Sequence, residues 1–302
     1  MTTAIIDSHL HFWSLATPGH EWPTAQTPTL HRDFGPDDLR AAAAGTPLAG
    51  AVLVQSQPTD IDTDWMLALA AREPLVAGVV GWVDLSSPDA PLRIAALAAD
   101  PKLRSLRPML QAIDDTDWLL RDDLAPALEA MLAHGLRLDA LVQPRHLPML
   151  VRFVDRWPDL PVVIDHAAKP HAAVGTLDPW RNHIATLASQ GTHCKLSGLR
   201  TEQAPGQPAD ELAPYVDHLV ATFGERLMWG SDWPVLTWFG DTYARWIADA
   251  RRLAGLSGTE QEQLFAGCAR RFYALDGCDL GARTAGEHVE WSDAGNVGIR
   301  DE

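Results

Sequence analysis

The opening apolar run, AIIDSHLH (residues 4–11), reads as a β-strand, and the character of the chain after it decides the fold. No glycine-rich GxGxxG comes after it, which sets aside a dinucleotide-binding open sheet. Working outward, seven further strand candidates are found: GAVLVQS (50–56), LVAGVVGWVDL (75–85), LRSLRP (103–108), LRLDALVQP (136–144), LPVVIDHA (160–167), THCKLSG (192–198) and RLMWGSD (226–232). Helical windows separate them, at 62–74, 122–135, 146–158, 178–191, 211–224 and 241–255. In the second window Leu124, Leu128, Met131 and Leu132 recur at helical spacing, and Gly135 stands where a C-cap glycine belongs. Strands alternating with helices build a parallel sheet, and eight of them predict an α/β fold of the closed (β/α)8 TIM-barrel type in a single domain. Residues 1–276 are assigned to the barrel, with one or two closing helices over 257–275. The polar, irregular stretch 277–302 is read as a C-terminal tail.

Composition narrows the function. The 302-residue chain is 46% hydrophobic and 21% charged, as expected of a folded globule. Its formal charge of −16 argues against binding phosphate backbones or anionic lipid, so neither nucleic acid nor membrane is an expected partner. Lys102, Lys169 and Lys195 are the only lysines. Three cysteines (Cys194, Cys268 and Cys278) with no CxxC pair point to a reducing, cytoplasmic setting. The N-terminal residues lack the basic and apolar regions of a signal peptide, and no run of about 18 uncharged apolar residues predicts a membrane span.

Barrel enzymes carry their chemistry at the C-terminal ends of the strands. The first strand ends in Asp7-Ser8-His9-Leu10-His11, where alternation puts His9 and His11 on one face and turns Leu10 away. His166 closes another apolar run, in VVIDHAAKP, and Asp232 closes the last, in MWGSDWP. Three histidines and an aspartate from three strand ends are costly to bury without partners. A shared ion or a hydrogen-bonded network satisfies them. A carboxylate beside imidazoles is the natural general base, a role that falls to Asp232. Arg107, at the end of the fourth strand, can bind a carboxylate or hold a carbonyl oxygen as charge develops on it. Gln143, Lys169 and Ser197 lie at or just beyond strand ends and are candidate hydroxyl or carboxylate binders. Lys195, in register with Ser197, is either functional or paired with an acid inside the barrel. Trp13, Trp22, Trp82 and Trp233 offer rigid aromatic faces for a ligand, Trp233 being the one assigned to substrate. The long segment from Ser14 to Phe34 is expected to form one wall of the pocket.

These motifs resemble the amidohydrolase superfamily, specifically its amidohydrolase-2 branch of sugar-acid and pyrone-dicarboxylate lactonases. The resemblance rests on IIDSHLHFW (5–13), VVGWVDL (79–85), LRPMLQ (106–111), LVQPRHLP (141–148), VVIDHAAKP (162–170), CKLSGL (194–199), LMWGSDWP (227–234) and FAGCARRFYAL (265–275), which occur in order along the chain. It implies a hydrolase that opens aldonolactones such as fucono- or rhamnonolactone, with His9, His11, His166 and Asp232 lining the active site. Binuclear members of the superfamily place a carboxylated lysine or a glutamate at the fourth strand. Arg107-Pro108 stands there instead, so the resemblance implies at most one divalent ion, zinc in the first instance, and leaves room for a metal-independent reaction. Two rivals remain open on the sequence: a metal-dependent non-oxidative decarboxylase on the same barrel, and a sugar-acid binding protein without catalysis. The oligomeric state is left open.

Overall fold

Each apolar run becomes a strand because its residues can be buried on both sides, by the barrel interior and by a covering helix. A computed structural model describes residues 4–275. Eight strands succeed one another in parallel: β1 (Ile5–Leu10), β2 (Leu48–Val54), β3 (Val76–Gly81), β4 (Leu103–Leu106), β5 (Arg137–Ala140), β6 (Val162–Ile164), β7 (His193–Leu196) and β8 (Leu227–Trp229). Every strand pairs with its sequence neighbour. The last seam closes just past β8, where the Asp232 amide donates to His9 O and the His11 amide donates to Trp233 O, both at 2.8 Å. The fold is therefore the (β/α)8 TIM barrel that the sequence predicts.

Eight covering helices alternate with the strands: α1 (Pro36–Ala42), α2 (Asp60–Ala70), α3 (Ala90–Ala98), α4 (Ala125–Ala133), α5 (Leu147–Arg156), α6 (Trp180–Ser189), α7 (Ala213–Phe223) and α8 (Tyr243–Ala254). Helix α4 ends as its sequence foretells. Gly135 adopts φ +66°, its amide donates to Leu132 O, and the Leu136 amide reaches back to Met131 O. After α8 come the short helices α9 (Gly258–Glu262) and α10 (Cys268–Phe272), joined by a π-helical turn.

The main apolar core lies between strands and helices. A second cluster fills the lower barrel, where Ile6, Val52, Val80, Val163 and Met228 meet Phe272, Tyr273 and Leu275. The C-terminal segment thus plugs the barrel's N-terminal end, leaving the opposite end for chemistry. Cys194 and Cys268 are buried free thiols, while Cys278 and the tail 277–302 lie outside the described residues. Among the described residues no helix is long and apolar enough to cross a membrane.

Candidate active site

Above the apolar plug, the barrel interior is occupied by charge. Lys195 on β7 is wholly buried between Asp139 of β5 (2.5 Å) and Asp165 (2.9 Å), and its Nζ lies 3.1 Å from His9 Nδ1. The Asp139 carboxylate also accepts from Ser105 Oγ (2.6 Å) and Tyr273 Oη (2.7 Å), so the plug and the site share one network. Arg107 Nη2 donates to Gln55 O at 2.6 Å, and its Nη1 stands 3.4 Å from Asp165 and 3.5 Å from His9 Nε2. Two buried cations face two buried carboxylates, the balance that buried charge requires. Burial opposes ionisation of Asp165, yet Lys195, His9 and Arg107 hold it well below the ordinary carboxylate range.

On this base sit the three histidines and Asp232. His9 and His11 do share a face, with Nε2 atoms 3.2 Å apart, and Leu10 turns into the outer core. Asp232 Oδ1 lies 3.5 Å from His11 Nε2, 3.8 Å from His9 Nε2 and 3.9 Å from His166 Nε2. Each outer ring nitrogen has its own partner: His11 Nδ1 donates to Val54 O (2.8 Å), His166 Nδ1 faces Ser197 Oγ (2.9 Å), and His9 Nδ1 accepts from the Lys195 ammonium (3.1 Å). That directs the Nε2 lone pair of His11 at the site, while the Ser197 hydroxyl serves His166 Nδ1 as donor or as acceptor, so His166 presents Nε2 either as N–H or as a lone pair.

Burial pushes the Asp232 carboxyl up, but His166, His11 and His9 outweigh it and hold Asp232 below the ordinary range, ionised. Burial and Lys195 drive the His9 imidazole well below its ordinary value. Burial likewise draws His166 down to about 4 against the pull of Asp232. The result is a carboxylate held against the neutral imidazoles of His9 and His166.

The backbone is bent to achieve this. Strand β6 ends at Ile164, and His166, Ala167, Ala168 and Lys169 all take left-handed φ values between +50° and +60°. L-residues avoid this region at about 1–2 kcal/mol each, so neighbouring contacts must hold the turn. Trp180 Nε1 donates to Ala167 O (2.7 Å) and the Lys169 amide donates to His166 O (2.8 Å). Three residues apart in so tight a turn, His166 and Lys169 both face the cavity. Gly198 (φ +62°) passes so close beneath that a β-carbon there would lie 2.5 Å from His166 Nδ1. Asp232 is left-handed too, at φ +56°.

A cavity of about 360 Å³ opens over this floor. Its polar wall includes His11, Arg107, His166, Lys169, Glu202 and Asp232, and its apolar wall includes Trp22, Met109, Leu141, Val235, Trp238 and Phe239. The Ser14–Phe34 segment contributes Trp22, as expected of it. Other sequence candidates lie off this wall. Gln143 accepts from Arg145 Nε and stands at the turn leading into α5. Trp233 is buried between Phe12 and Phe34, because the seam with β1 fixes its backbone and turns the ring into the core. Ser197 touches His166 and does not line the cavity, while His9 lies beneath His11. Trp13 packs on Trp22 and Phe34, and the backbone of Trp82 is bound by Thr63 Oγ1. The sequence reading did not single out Asp139, Asp165, Tyr273, Glu202 or Trp238.

The donor set suits one divalent cation. His9, His11 and Asp232 bring one donor atom each to within 4.8 Å of one another, and His9, Asp165 and His166 form a second such group. Tetrahedral ligands about 2.0–2.1 Å from zinc stand roughly 3.3 Å apart. The separations of 3.2, 3.5 and 3.8 Å among His9 Nε2, His11 Nε2 and Asp232 Oδ1 lie close to this, while His166, 3.9 Å from Asp232, stands beside that trio and belongs to the second group.

Fold and site together define a TIM-barrel hydrolase scaffold with a His/Asp metal-capable centre. The chain belongs to the amidohydrolase family, whose sequence profile matches residues 6–275. It is 47% identical over 278 residues to an L-fucono-1,5-lactonase of Burkholderia ambifaria, covering 90% of this chain and 96% of that protein. An L-fucono-1,5-lactonase of Burkholderia multivorans is 36% identical over 289 residues, covering 89% and 96%. A crystal structure of an amidohydrolase from Burkholderia multivorans with bound zinc superposes with a TM-score of 0.83 at 34% identity, covering 90% of this chain and 99% of that one.

Proposed function

We propose that this protein hydrolyses a sugar-acid lactone to the open-chain acid, with L-fucono-1,5-lactone, the substrate named for its relatives, as first candidate. The observation that carries the mechanism is the Asp232 carboxylate lining the cavity within 3.9 Å of the Nε2 atoms of His9, His11 and His166. Asp232 takes a proton from water as the water oxygen bonds to the lactone carbonyl carbon. The carbonyl electron pair moves onto oxygen, where Arg107 and His166, both on the cavity wall, stabilise the charge. When the C–O ring bond breaks, Asp232 returns the proton to the departing ring oxygen. Base and oxyanion clamp each supply about 10²–10³-fold.

His9, His11, His166 and Asp232 are the residues that would hold a single zinc ion, which when bound supplies Lewis-acid polarisation and a lower pKa for water. Lys169 is assigned to a substrate hydroxyl, and Ser197 to positioning His166. A pH-indicator screen of furanose and pyranose aldonolactones, with and without chelator, tests this reading. Acid release from an aldonolactone supports it, and no release with or without metal overturns it.

A further inference from the structure

Lys169 and Glu202 stand on one wall of the cavity, and each side chain is roughly four-fifths buried. Their closest approach, Nζ to Oε1, is 3.9 Å, too long for a direct hydrogen bond. One hydroxyl oxygen placed about 2.8 Å from both would subtend roughly 90° between them, an angle near that of a tetrahedral oxygen. It would accept from the ammonium and donate to the carboxylate, using both halves of a hydroxyl at once. The left-handed turn fixes the lysine, and the loop after β7 brings the glutamate. Burial pushes the Glu202 carboxyl up, and Lys169 beside it favours the charged form.

Charge around the cavity reinforces the point. Arg107 is matched by Asp165 beneath the wall, so Glu202 is the carboxylate that offsets Lys169. Removing the Glu202 charge leaves Lys169 without its partner, a setting for a carboxylate-bearing ligand.

We propose that the Lys169–Glu202 pair determines substrate class, taking a ring hydroxyl of a neutral polyhydroxylated lactone and rejecting lactones that carry a carboxylate. This rests on the lactonase reading and extends it from the reacting ester to the rest of the ring. A site built to pair with a hydroxyl discriminates strongly against an analogue lacking it, because its polar groups are left unpaired.

The test compares kcat/KM of the wild-type protein, Glu202→Gln and Lys169→Met on three probes: L-fucono-1,5-lactone, δ-valerolactone and D-glucaro-1,4-lactone. In both variants the ratio of fucono- to valerolactone activity is expected to fall about tenfold or more, carried mainly by KM. In Glu202→Gln alone, the ratio of glucaro- to fuconolactone activity is expected to rise by at least tenfold. Ratios unchanged within twofold, or equal losses on all probes, overturn the proposal. Lys169→Met decides the hydroxyl part if Glu202→Gln does not fold. Failure of the wild-type protein on all three probes refutes the lactonase reading instead, so the two failures are distinguishable.

Discussion

Gly198→Ala probes how the strained turn serves the site. The new β-carbon would meet His166 Nδ1 at 2.5 Å and Cγ at 2.6 Å, against an ordinary contact of 3.4 Å or more. With the surroundings close-packed, the imidazole must retreat by about 0.9 Å. Its 2.9 Å contact with Ser197 and its direction towards Asp232 are both disturbed. Misplacing a reacting group by about 1 Å costs on the order of 10²-fold in rate. Holding alanine at φ +62° adds about 1–2 kcal/mol of destabilisation. The expected outcome is a fall of roughly 10²-fold in lactone kcat/KM with only a modest drop in Tm, read by a continuous acid-release assay and thermal denaturation. Near wild-type kcat/KM in a folded variant would refute the claim that His166 is held in place for chemistry.

Two further outcomes concern stability. Lys195→Met leaves Asp139 and Asp165 buried without their shared cation, so urea denaturation should show a loss of about 3–5 kcal/mol, partly recovered by adding Asp139→Asn. His193 stacks on Phe272 at the barrel's plugged end, where burial and then Arg226 and Arg271 lower it to about 4. Its native form is neutral, so the unfolded chain binds the extra proton and stability is lost as pH falls from about 6.5 to about 4. Allowing for its partial exposure, wild type should lose about 2 kcal/mol relative to His193→Leu across that window, measured by denaturant titration at each pH.

The strands are legible in the sequence because each is an apolar run bounded by helical windows, and each predicted run contains or overlaps a strand of the barrel. His9, His11 and Lys195 emerge from alternation, which holds while the chain is extended. Alternation fails past Ile164, where the left-handed turn begins, and this hides Asp165 beside His166. Glu202 lies in an irregular loop after β7, where neither periodicity nor motif marks it. Tyr273 reads as part of a closing helix, and only the plugged barrel shows its hydroxyl reaching Asp139. Trp233 misleads for the opposite reason: it stands at a strand end, but the β8–β1 seam turns its ring away from the cavity.

Single-turnover hydrolysis of L-fucono-1,5-lactone by Asp232→Asn, at matched metal content and with folding checked by circular dichroism, bears most directly on the mechanism. The expected result is a chemical step slower by at least about 10²-fold with substrate still bound. A chemical step within a few-fold of wild type would show that another group takes the proton from water.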